Sequence, residues 1–214
     1  MNNLLLKKKI LIVGGSSGIG LCIAKLVSQK GAKAIIASRN AIEKSNEINK
    51  NLKNRIETFN LNITSENNII DTIKKIGNIS HLIFTIRPEI ESKPINKINI
   101  EKAKLAFETK YWGPYKLVQK MLQKKQIKES IIMTSGIAGE KIYNNSSTIS
   151  VINKAIEMLC YNLAIEICPI RVNAISPGFV APKPRKIEKY AKTFPIKRIA
   201  KVEEIAEVYI NLME

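Results

Sequence analysis

Histidine is nearly missing from this 214-residue chain: His81 stands alone, with no carboxylate near it in sequence to complete a proton relay. The three cysteines, Cys22, Cys160 and Cys168, lack metal-ligand spacing, and no His/Cys/Asp/Glu cluster compensates, so no metal is expected. An odd number of thiols in segments that read as helical predicts buried, reduced side chains and a cytoplasmic setting. No apolar stretch approaches the roughly 18 residues needed to cross a bilayer. Within Met1 to Lys9 the run Leu4-Leu5-Leu6 is too short, and its lysines come too late, for an export signal. A soluble protein without membrane contact is therefore expected. Repeats, low-complexity tracts and an interdomain linker are absent too, which at this length predicts one domain over residues 1–214.

Acidic residues are in deficit: 18 Asp and Glu face 35 Lys and Arg, for a formal charge of +17. A field of that sign attracts anions, nucleic acid among them. The lysines are spread along the whole chain, however, with short clusters only at 7–9, 124–125 and 183–189, and no nucleic-acid motif accompanies them. No nucleic-acid partner is expected; the field favours a phosphorylated small molecule instead.

What is present is an alternation of apolar β runs and helical patterns. Strands are predicted at 10–13, 34–37, 56–61, 82–84, 131–134 and 171–175. Several are continuous apolar runs, as strands covered on both faces require. The order predicts an α/β three-layer Rossmann fold, a parallel sheet with helices on both faces. Ile19, Ile23, Leu26 and Val27 fall at helical spacing after the first strand, with Gly31 as a stop. A long helix is predicted over 147–167, with Val151, Ala155, Met158, Leu159 and Leu163 on one face and Pro169 beyond its end.

The strongest chemical signal is Gly14-Gly15-Ser16-Ser17-Gly18-Ile19-Gly20, between the first strand and its helix. Glycines permit a tight turn and close approach of a diphosphate, and the helix directs free N–H groups and its positive end at the anion. Ser16 and Ser17 add hydroxyl donors. The Gly-x-x-x-Gly-x-Gly spacing in this amino-terminal position resembles the short-chain dehydrogenase/reductase family. Three further segments carry the resemblance over nearly the whole chain. Asn62-Ile63-Thr64 resembles the Asp-Val-Thr segment that flanks the adenine. Arg171-Val172-Asn173-Ala174-Ile175-Ser176-Pro177-Gly178 is very similar to the stretch whose Pro177 and Gly178 border the nicotinamide. Residues 195–212 resemble the helix before the family's last strand, and that strand is expected to be missing here.

Cofactor choice is read at the end of the second strand, where an acidic residue selects NAD through the ribose 2′-OH. This chain has Ala37-Ser38-Arg39-Asn40 there. With a guanidinium and no carboxylate, NADP(H) is predicted, Arg39 meeting the 2′-phosphate and Ser38 adding a donor.

The catalytic positions depart from the pattern that the resemblance implies, a Tyr-x-x-x-Lys pair with a Ser and an Asn. Ser135 matches the serine and Lys154 the lysine, but Ser150 stands where the tyrosine is expected and Lys110 where the asparagine is. A serine hydroxyl is too weak an acid to exchange protons unaided near neutral pH. Tyr143, or Lys154 and Lys110 with a water, are the available substitutes. Phe84-Thr85-Ile86-Arg87 and Trp112-Gly113 resemble an atypical subgroup of the family without the tyrosine. The resemblance implies an NADP(H)-dependent oxidoreductase acting on a small carbonyl or alcohol, with Lys154 also on the nicotinamide ribose and a homo-oligomer possible. The other reading is an impaired NADP(H)-binding protein with a sensing or assembly role.

Overall fold

The computed structural model describes residues 4–214, the side chain of Lys186 apart, so part of the Met1–Lys9 segment lies outside the described residues. Among the described residues six strands run parallel in the order β3-β2-β1-β4-β5-β6. They are β1 (Lys9–Val13), β2 (Lys33–Ser38), β3 (Glu57–Asn60), β4 (Ile79–Phe84), β5 (Ile127–Thr134) and β6 (Arg171–Ile175). The helices are α1 (Gly18–Gln29), α2 (Ser45–Ile48), α3 (Glu66–Ile76), α4 (Ile100–Phe107), α5 (Gly113–Gln123), α6 (Ser147–Glu166), α7 (Arg185–Tyr190) and α8 (Val202–Met213). A five-residue π turn, Glu108–Trp112, joins α4 to α5.

Side chains alternate across a strand, and the alternation divides the core in two. Leu11, Val13, Ile35, Leu82, Phe84, Ile131 and Met133 face α3, α4, α5 and α6. Ile10, Ile12, Ala34, Ile36, Ile83 and Ile132 face α1 and α8. Both faces are covered, which is why these strands read as unbroken apolar runs.

Two strands are longer than their apolar content suggested. β4 begins at Ile79 and β5 at Ile127, because His81 and Ser130 are register partners whose side chains bond at 2.8 Å in the interior. That polar pair interrupts the apolar pattern but not the sheet. In α6 the apolar face and the buried face coincide only in part. Val151 and Met158 are 58% and 55% exposed, while the buried stripe takes in Asn153 and Glu157. Cys168 lies beyond the helix and is exposed, and the stretch after Gly178 contains α7.

β6 pairs with β5 alone, and no seventh strand occurs among the described residues. The Arg171 guanidinium on β6 donates to the carbonyls of Leu212 (2.5 Å) and Met213 (3.1 Å), tying the end of α8 over the strand. A cation on the last carbonyls of a helix satisfies acceptors that the helix leaves open. No helix among the described residues is long and apolar enough to cross a membrane.

Candidate active site

In a parallel sheet every strand exits at the same edge, so residues after β1, β2, β4, β5 and β6 share one rim. After β1 the backbone is held from both sides: Gly14 N donates to Ala37 O at 2.9 Å, and Thr85 N donates to Val13 O at 2.8 Å. Gly14 has φ +89°, and a Cβ there would sit 3.0 Å from the Thr85 carbonyl and Ile86 N. A Cβ on Gly20 would collide with Thr85 Oγ1 and lie 2.7 Å from Gly15 Cα. The loop is thus shaped by close backbone approach, and only glycine fits.

Ser17 enters α1 with extended backbone; no side chain caps the helix and no acidic residue lies in its first turn. The first-turn N–H groups of Gly18, Ile19 and Gly20 have no partner one turn back, so the positive end of α1 opens onto the rim. Ser16 and Ser17 stand in the same loop. At the end of β2, Ser38 Oγ is buried without a partner. Next to it, Arg39 is exposed and forms no ion pair among the described residues. Asn62 is exposed, and its Oδ1 accepts from Thr64 N (3.2 Å) and Thr64 Oγ1 (2.8 Å), which folds the turn after β3. Ile63 is buried against Gly113, where a Cβ would lie 2.7 Å from the isoleucine. An orphaned buried hydroxyl, an unpaired guanidinium, a glycine cradle and an open helix end form a donor set that fits a dinucleotide carrying a phosphate on its ribose.

The second cluster lies past β5. Ser135 is buried, and its hydroxyl donates inward, to Glu157 Oε1 at 2.6 Å and Asn153 O at 3.1 Å. Lys154, with 58% of its side chain exposed, donates to Glu157 Oε2 at 3.0 Å. Burial opposes charge on Glu157, but the hydrogen bonds from Ser135 and Lys154 outweigh it and hold the carboxyl below the usual carboxylate range. The same hydrogen bond raises Lys154. Lys110, from the π turn, is buried and donates to Ser135 O at 3.0 Å and Asn153 Oδ1 at 2.6 Å. Burial pulls its ammonium down to about 8. Asn153 Nδ2 in turn donates to Gly136 O at 3.2 Å. Ile137 N donates to Pro177 O at 2.9 Å, drawing the Pro177–Gly178 segment against this cluster.

The structure therefore brings Lys110, Ser135 and Lys154 into one network. Ser150 sits half-buried in the first turn of α6, outside that network, and the ring of Tyr143 packs edge-on against Phe179 at 6.1 Å. Asn153 and Glu157 were missed in the sequence. They lie four apart on one helical face, a polar pair in line with Ile152, Ile156 and Cys160, and that alignment was the available signal. Among the described residues no group of His, Cys, Asp and Glu is placed to hold a metal.

The family model described as enoyl-(acyl carrier protein) reductase matches residues 13–214. The chain belongs to the short-chain dehydrogenase/reductases. Like other members it resembles proteins of varied chemistry. The short-chain dehydrogenase/reductase malC of Malbranchea aurantiaca is 28% identical over 99% of this chain and 90% of its own length. The 3-oxoacyl-[acyl-carrier-protein] reductase of Mus musculus is 27% identical over 97% of this chain and 91% of its own. Among solved structures, the MalC reductase/Diels-Alderase superposes with a TM-score of 0.87 at 26% identity, covering 99% of this chain and 91% of that one. A small-chain dehydrogenase in complex with NADPH superposes with a TM-score of 0.80 at 25% identity, covering 97% and 91%. This short-chain dehydrogenase/reductase thus has a parallel sheet and a glycine loop beside the network of Lys110, Ser135, Asn153, Lys154 and Glu157.

Proposed function

We propose that this short-chain dehydrogenase/reductase is a single-domain, cytoplasmic enzyme that moves hydride between NADP(H) and a small carbonyl or alcohol, without the tyrosine usual in its family. The observation that carries the cofactor choice is the end of β2, where the partnerless buried Ser38 hydroxyl and the unpaired Arg39 guanidinium stand side by side. Both are donors, and no carboxylate lies in that segment to bind a free 2′-OH. The dinucleotide, when bound, supplies the hydride.

In this assignment Arg39 and Ser38 take the 2′-phosphate. Gly14, Ser16, Ser17, Gly18, Ile19 and Gly20 cradle the diphosphate, Asn62 and Ile63 flank the adenine, and Pro177 and Gly178 border the nicotinamide. Lys154, held charged by Glu157, presents an exposed ammonium to the nicotinamide ribose. Ser135 acts through Glu157 and Asn153 as a positioning residue, since its one O–H is spent inward. Ser150 keeps the tyrosine's place on α6 without its acidity. Reduction is supported by the relatives named reductases and by the NADPH bound in a superposable dehydrogenase.

The test is fluorescence titration with NADPH and NADH on the wild type and Arg39→Glu. Charge-assisted hydrogen bonds to the phosphate are worth about 1.5–3 kcal/mol, so the substitution should weaken NADPH binding at least about tenfold and leave NADH nearly unaffected. If the substitution leaves the NADPH-to-NADH ratio unchanged, the phosphate assignment fails.

A further inference from the structure

The cofactor reading leaves the Lys110 ammonium without a task. The residue is 7% exposed, the buried member of the π turn, and its two hydrogen bonds go to neutral oxygens of Ser135 and Asn153. An ammonium has three donors, so one is left over. Among the described residues nothing nearby neutralises the charge. On α6, Glu157 is committed to Ser135 and Lys154; on the helix that carries Lys110, Glu108 is committed to Lys116. A buried cation without a counter-charge is costly, and as mere filling an apolar residue of the same length would be cheaper. A cavity of about 10 Å³, room for one water, adjoins Lys110 together with Thr134 and Phe84. Through the Ser135 carbonyl the ammonium grips the chain just past β5, on the rim shared with the glycine loop, where Ile137 also ties down Pro177.

We propose that Lys110 is the acid of this site, giving the substrate oxygen the proton that a tyrosine would otherwise supply. The assignment rests on the NADP(H) carbonyl reading. When the hydride and its electron pair reach the carbonyl carbon, the C=O π pair moves to oxygen and takes a proton that Lys110 Nζ passes through the one water its cavity admits. The dinucleotide is oxidised, the carbonyl becomes an alcohol, and the neutral amine recovers a proton from water. Asn153 is the positioning residue: Oδ1 holds the ammonium while Nδ2 is anchored on Gly136 O. Burial makes the ammonium a willing donor near neutral pH, where acid catalysis is most effective.

The experiment reads Lys110 directly and needs no substrate. In protein with isotope-labelled lysines, the Lys110 resonance is assigned by its loss in Lys110→Met and titrated from pH 6 to 10 in the free, NADPH-bound and NADP⁺-bound states. The free protein should show a midpoint near 8. The oxidised ring carries a positive charge that the reduced ring lacks, so the midpoint should be about one unit lower with NADP⁺ than with NADPH. By linkage, Lys110→Met should reduce the preference for NADPH over NADP⁺ at pH 6.5 by up to about tenfold. Circular dichroism and retained NADPH binding confirm that the variant is folded. Coincident midpoints in the two complexes, with an unchanged preference in Lys110→Met, would place Lys110 away from the reacting centre and overturn the proposal. Failure of the wild type to bind either dinucleotide would remove the cofactor reading and this assignment together.

Discussion

Replacing His81 by leucine should flatten the acid side of the stability curve. His81 is fully buried, with Nδ1 bonded to Ser130 and Nε2 3.7 Å from Glu129. Desolvation pulls the imidazole from 6.5 down to about 4; Glu129 works against this, while Arg171 and Lys8 add to it. Because the folded protein binds the proton more weakly than the unfolded chain, stability is full above pH 6.5 and declines as the pH falls towards 4. The interval corresponds to about 3 kcal/mol in all, of which about 2 kcal/mol is lost by pH 5. Urea unfolding of the wild type and His81→Leu at pH 7.5 and 5.0 measures the difference. The variant is expected to be weaker at pH 7.5, because Ser130 loses its partner, yet to lose about 2 kcal/mol less on acidification. Carboxylates other than Glu129, which faces the imidazole, titrate in both proteins and cancel. With one histidine in the chain, its ring resonances report the folded midpoint without assignment. A midpoint near 6.5, or equal losses in the two proteins, would refute the desolvation argument.

Other substitutions probe the site. Gly20→Ala forces a methyl into Thr85 Oγ1 and should cost about 1–3 kcal/mol of stability together with dinucleotide affinity; thermal melts of the Gly20→Ala/Thr85→Ala pair should show partial recovery. Ser150→Tyr places a phenol four residues before Lys154; with Lys110 already supplying the proton, NADPH oxidation against 9,10-phenanthrenequinone should rise by less than about tenfold, but by about 10²-fold when the same substitution is made in Lys110→Met. Glu157→Gln removes a carboxylate whose depressed pKa contributes stability above the ordinary carboxylate range and loses it as the pH falls below. Its acid unfolding should therefore be shallower than that of the wild type, and its NADPH affinity lower through the released Lys154.

Much of this was legible in the sequence, because the fold and the cradle are governed by local rules. The glycine spacing, the apolar strands and the parallel order follow from backbone sterics and burial, and the six strands pair in one sheet as the alternation implied. The differences at β4, β5 and α6 have a common cause in polar groups buried inside the protein. His81 and Ser130 shortened the expected β4 and β5. Asn153 and Glu157 hid the true inner face of α6, since a face is read from apolar side chains while these two are buried by their bonds to Lys110, Gly136, Ser135 and Lys154. Ser135 lies just past β5, but the direction of its O–H depends on Glu157, a residue far off in sequence. Lys110 and Lys154 look alike as letters, yet one is buried and the other faces solvent.

The widened turn Glu108–Trp112 constrains how this stretch can change over evolutionary time. A turn closed by i to i+5 bonds holds about one residue more than an α turn, so Glu108–Trp112 advances the chain through nearly the same angle as four residues at about 100° each. Deleting one position would therefore restore a regular pitch and leave Leu117, Val118 and Met121 on the sheet, but it would take Lys110 out of register with Ser135 O and Asn153 Oδ1. The core tolerates the shorter segment; a single buried ammonium does not.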